Sequence, residues 1–150
     1  MFTLVEAPRG NQPGGTSVSS VNSGTAFDLG ANETVAVLVT WEDTDPVTVT
    51  LADNRGSNVF SAATRTHVTG PGRGVQWFYV LASAAVPACV LTATFNTATN
   101  FPGMHVIRSR AQGTPTYVGE SSSASGLGSS SQTLPSLTAG QTYVGGFTPR

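Results

Sequence analysis

Residues 47–52 read V-T-V-T-L-A, alternating apolar and hydroxylated side chains up to a polar tip, D-N-R-G, after which S-N-V-F resumes an apolar course. Period-two alternation puts Val47, Val49 and Leu51 on one side of a strand and Thr48 and Thr50 on the other. That is the pattern of a sheet with one buried and one wet face. Helical periodicity is hard to find elsewhere in the chain. Lys, Glu, Gln and Leu are scarce, and Val and Thr dominate the apolar segments. β-Branched side chains lose χ1 freedom in a helix and pack well on a pleat, so the balance favours strands.

Strands are expected over 2–7, 24–29, 33–41, 46–52, 57–63, 74–82, 88–95, 104–110 and 141–147, with the Ser-rich 16–21 a weak candidate beside them. G-P-G-R-G at 70–74 is a turn signal, and N-T-A-T-N-F-P-G at 96–103 reads as a connection. About 8–9 short strands separated by turn signals predict an all-β fold, an antiparallel β-sandwich of jelly-roll or immunoglobulin-like kind. Trp77 and Tyr79 share one face of their strand and Phe78 and Val80 the other, so both faces of that strand are expected to be covered. With 150 residues the chain is expected to be one domain. Residues 1–23 would form an N-terminal arm and first strands, and 119–133 a flexible Ser/Gly-rich loop.

Charged residues are only 10% of the chain, against roughly 25% in ordinary soluble domains. The net charge is -1, and every basic residue apart from His is Arg. Bulk electrostatic binding of nucleic acid or of an anionic membrane is therefore not expected. Arg108 and Arg110 read most simply as a solvated strand face. A surface this poor in charge suits proteins that meet neighbours through hydroxyl and amide contacts. The single cysteine, Cys89, excludes an internal disulfide and lies in an apolar run, where a buried structural thiol is expected. M-F-T-L-V-E-A-P-R-G lacks the basic and apolar regions of a secretory signal, and no apolar run reaches membrane-spanning length.

The densest acidic cluster is W-E-D-T-D-P, with Glu42, Asp43 and Asp45 following Trp41. Carboxylates at one tip could serve glycoside hydrolysis or ligate calcium, but neither pattern is complete. A solvated corner with Asx-turns ahead of Pro46 is the simpler reading. Trp41, Glu42, Asp43 and Asp45 remain the candidate contacts with a ligand or partner. Trp41, with Trp77, Tyr79, Tyr117 and Tyr143, could stack on sugar rings, although strand aromatics usually pack in a core. His67 and His105 lack zinc-ligand spacing, and there is no G-x-S-x-G elbow. No catalytic residue, metal or cofactor is expected.

Strand V-T-V-T-L-A-D, then D-x-x-G with Asn58 close behind, resembles a loose family of β-sandwich domains carrying V-x-V-x-D-x-x-G-N. Such domains recur in bacteriophage virion proteins and in bacterial surface or secreted proteins. E-T-V-A-V-L-V-T-W before the motif, and G-V-Q-W-F-Y-V-L-A, V-L-T-A-T-F and M-H-V-I-R-S-R after it, follow the family's order. The chain departs from the pattern at Ser57, inserted between Gly56 and Asn58, and at the arginines of M-H-V-I-R-S-R. The resemblance implies a non-enzymatic structural protein of a bacteriophage particle, most plausibly one that decorates or reinforces the capsid. Its expected partners are capsid protein or copies of itself, as a homo-oligomer or lattice-bound, with a virion location. The alternative it leaves open is a carbohydrate- or receptor-binding module of a tail fibre or cell-surface protein. The Asp53 tip is expected to be a hairpin turn, with Asp53 accepting backbone N–H bonds and Gly56 supplying a positive φ.

Overall fold

The computed structural model describes residues 4–5, 9–11, 17–42, 47–63, 65–68 and 72–110. The described residues form an all-β structure with no helix, and its antiparallel sheets pack together as a sandwich. The strands are β1 (Leu4–Val5), β2 (Arg9–Asn11), β3 (Val18–Asn22), β4 (Phe27–Leu29), β5 (Glu33–Glu42) and β6 (Val49–Asp53). After these come β7 (Ser61–Ala62), β8 (Thr66–Val68), β9 (Arg73–Leu81), β10 (Val86–Cys89) and β11 (Leu91–Arg110). No helix in the described residues is long and apolar enough to cross a membrane.

β5 is the centre of the larger sheet. Its Glu33–Thr40 stretch pairs with the second half of β11, and Thr34–Glu42 pairs with β9. β1 and β2 extend the sheet beyond β11, and β7 and β8 extend it beyond β9. In the second sheet the first half of β11 lies between β3 and β6. β4 and β10 make a separate two-stranded ribbon.

The 20-residue β11 therefore belongs to both sheets. This corrects the expectation of two strands, 88–95 and 104–110, with a connection between them. Thr97 and Thr99 keep the chain extended, and the turn-like residues Phe101 and Pro102 are absorbed by a β-bulge. Asn100 stands opposite Glu42 and Gly103 opposite Thr40, so three steps on β11 match two on β5. Pro102 is tolerated because a bulge removes the need for its missing N–H. Residues 9–11, expected within the N-terminal arm, form a strand against Gly103–His105. The expected strand at 141–147 and the Ser/Gly-rich loop at 119–133 lie outside the described residues.

Alternation builds the core. Val35, Val37, Val39 and Trp41 of β5 point inward with Phe78, Met104 and Val106, against Val21, Val49, Leu91, Ala93 and Phe95 of the second sheet. Full burial of each Val or Phe contributes about 1.5–3 kcal/mol. Trp41 ties the layers together: its ring meets Phe95 edge-on, with centroids 5.9 Å apart. It fits only because residue 74 is glycine, since a Cβ there would overlap the indole. Gly74, expected as part of the 70–74 turn, is a buried strand residue of β9 directly opposite Trp41. The turn glycine is Gly72, at φ 63°.

Candidate functional site

The polar tip after β6 is built around a buried carboxylate. Asp53 continues the inward stripe of β6 and is buried, so its oxygens need partners. Oδ1 accepts from the backbone N–H of Arg55 and Ser57, at 2.9 and 3.1 Å. Oδ2 accepts from the Asn58 backbone at 2.8 Å and from Asn58 Nδ2 at 3.1 Å. Gly56 closes the turn at φ 64°, its N–H donating to the Asp53 carbonyl. Burial pushes the Asp53 carboxyl upward, but the N–H donors of Ser57, Arg55 and Asn58 together outweigh it and hold the group below the usual carboxylate range. Asp53 accepts the backbone N–H bonds and Gly56 supplies the positive φ as expected, and Ser57 does not keep Asn58 from its place, but the tip is not a hairpin. β6 pairs with β11 and β7 with β9, so the turn carries the chain from one sheet to the other, and only Ser61–Ala62 of the strand expected over 57–63 is a strand.

Asn58 extends the network to the next turn. Its Oδ1 accepts from the N–H groups of Ser83 and Ala84, and its Nδ2 also donates to the Ala84 carbonyl. Asn54 does the same toward β10: its backbone N–H and side-chain Oδ1 both engage Val90, and its Nδ2 donates to the Ala88 carbonyl. The tip is a clamp joining the end of β6 to the 83–90 segment, and both oxygens of its carboxylate are engaged within the clamp.

The residues picked out at the acidic corner separate. Trp41 is 2% exposed and offers no ring face to a sugar, which corrects its reading as a rim contact. Alternation put it on the inward face of β5, where Gly74 made room. Glu42 does face outward, half-buried, and accepts from Arg73 Nε at 3.1 Å. Asp43 and Asp45 lie outside the described residues, as do Tyr117 and Tyr143. Among the described residues no group of three or more His, Cys, Asp or Glu side chains could hold a metal ion. Cys89 is fully buried, and its thiol is pushed up to about 11, chiefly by burial and then by the Asp53 charge.

Of two outward features, the sequence reading misses the first and anticipates the second in part. The first is the bulge residue Phe101, 54% exposed at φ 47°. The F-P dipeptide is its signal in the sequence, where it reads equally as a loop. The second is the outer face of the larger sheet. There Leu38 lies between Trp77 and His105, Ala36 between Tyr79 and Ile107, and Thr40 between Val75 and Gly103. Leu38 is 3% exposed, while Val75, Trp77, Tyr79, Leu81 and Ile107 are half-buried. At the end of this face the row Asn100–Glu42–Arg73 is polar. The middle of the outer face is thus rich in large side chains, in line with the expectation that both faces of β9 are covered.

Arg108 is not on a solvated face. It is 6% exposed, lies over the Phe27 ring at 4.5 Å, donates to the Asp28 carbonyl and pairs with Glu33 Oε2 at 2.6 Å. It fastens β11 to the start of β5 and to the β4 ribbon. Compared with protein-family models, curated proteins and solved structures, the chain matches none.

Proposed function

We propose that the chain is a non-enzymatic structural protein of a bacteriophage particle, a decoration or reinforcement protein that contacts capsid protein or copies of itself. The observation that carries this reading is the middle of the larger sheet's outer face, where Leu38, Val75, Trp77, Tyr79 and Ile107 gather on the side away from the core. Antiparallel sheets commonly keep one face polar toward water, and apolar side chains gathered on that face are the usual mark of a protein-contacting surface. The low charge of the chain supports contact through neutral groups. The virion setting rests on the resemblance of the Asp53 turn and the strands around it to particle domains. The engagement of Asp53 within its own clamp supports a scaffold role for that loop rather than a catalytic one.

Co-sedimentation of the purified chain with expanded capsids tests this reading. The expected outcome is saturable association that Trp77→Glu weakens at least tenfold while Glu42→Gln leaves it unchanged. A chain that stays in the supernatant at all capsid concentrations would contradict the proposal.

A further inference from the structure

We propose that the bulged corner of β11 carries a subsite for a neutral saccharide, with Phe101 as the stacking platform and Glu42 and Asn100 as the hydrogen-bonding groups. Phe101 is 54% exposed although a benzyl side chain gains by burial, and the buried place beside it is taken by Pro102. Its backbone sits at φ 47°, a region that residues bearing a Cβ resist. Bulges of this kind re-aim a side chain. Here the result is an aromatic ring held toward solvent by the backbone itself.

The row of residues that Asn100, next to Phe101 in the chain, heads across the sheet is polar. Asn100, one residue earlier, stands opposite Glu42, which stands opposite Arg73, so the three form one row across β11, β5 and β9. Adjacent members are about 5 Å apart, the spacing of paired strands. Arg73 Nε holds Glu42 Oε1 at 3.1 Å, and Ser17 Oγ donates to Asn100 Oδ1 at 2.7 Å. Each ligand-facing group is thus fixed by a second residue. Glu42 Oε2 is left to accept, and the Asn100 amide nitrogen to donate. Trp41 Nε1 and Thr99 Oγ1, on either side of the row, are buried without a hydrogen-bond partner among the described residues, as is Arg108 Nε elsewhere in the fold.

The ligand class follows from the chemistry. A pyranose ring presents a face of weakly positive C–H groups, which suits the negative face of a phenyl ring. Its edge presents hydroxyls that can donate to a carboxylate and accept from an amide. The Glu42 charge is matched by Arg73, so the row favours a neutral sugar over an anionic one. The inference is independent of the particle assignment.

The whole chain should be screened on an array of neutral and acidic oligosaccharides, and the best-bound neutral oligosaccharide titrated by calorimetry. Saturable binding is expected. Phe101→Gly should lower affinity at least tenfold while raising Tm by roughly 2–4 °C, because glycine relieves the positive φ. Phe101→Trp should keep binding, and Glu42→Gln should weaken it about tenfold. Absence of binding to any neutral oligosaccharide, or unchanged affinity in Phe101→Gly, would overturn the proposal. So would an array-negative chain whose capsid association depends on Phe101, since that ring would then be a protein contact.

Discussion

At the scale of single residues, the chain places its few polar groups where the backbone needs them. Asp53 receives four hydrogen bonds within five residues, and Asn58 uses both ends of its amide to bridge two turns. Gly56 has nothing within 4 Å of where a Cβ would stand, so its only constraint is its φ of 64°. Gly56→Val is therefore expected to destabilise the fold by about 1–2 kcal/mol through backbone strain alone, read as a lower urea midpoint at constant m-value. Asp53 makes the stability pH-dependent. Its folded-state pKa is depressed, so its contribution is fully present above the unfolded value, near 3.9, and is lost as pH falls through the lower folded value. Urea midpoints for wild type and Asp53→Ala should differ at neutral pH and converge below about pH 4. A constant difference down to pH 2 would contradict this account of the clamp. The Asp53 turn was legible in the sequence because Asx-turn chemistry is local, whereas its joining of two sheets rather than of a hairpin depends on the distant partners β11 and β9. The bridge from Asn58 to Ser83 and Ala84 was not legible, because it joins segments 25 residues apart.

At the scale of elements, alternation predicted most strands and failed where pairing decides. N-T-A-T-N-F-P-G reads as a connection because Pro and Gly break regular structure. In the fold, β5 runs alongside it and a bulge takes up the irregularity. Gly74 failed in the same way, since the partner that requires a glycine, Trp41, lies on another strand. Gly74→Val should cost about 1–3 kcal/mol by overpacking, and calorimetric melting will show it as a lowered Tm. Arg108 was misread because charge on a strand suggests solvent, whereas Glu33, Phe27 and the Asp28 carbonyl give it a buried place. Breaking a buried pair strands its partner, so Arg108→Leu should destabilise by about 3–5 kcal/mol. The double variant Arg108→Leu/Glu33→Leu should recover part of that loss in a double-mutant cycle. Additive losses would mean that the pair contributes nothing beyond its separate members.

At the scale of the whole molecule, one long strand joins two sheets, and the larger sheet carries apolar side chains in the middle of its outer face as well as in the core. The sandwich class followed from composition and turn spacing. The candidate contacts did not, because which face of β5 looks outward depends on a partner sheet that a single strand does not encode. Trp41 went inward, Glu42 stayed on the surface, and the exposed aromatic of that rim is Phe101. A protein with apolar side chains in the middle of its outer sheet face, little charge and its most conspicuous carboxylate engaged in holding loops together is suited to standing among neighbours. The most direct test of the proposed role is quantitative mass spectrometry of gradient-purified virus particles recovered from the source that carries this gene. The account predicts that the chain co-purifies with the particles in a fixed ratio to the shell protein through successive gradients. Loss of the chain from the particle fraction, with recovery only as free protein, would contradict it.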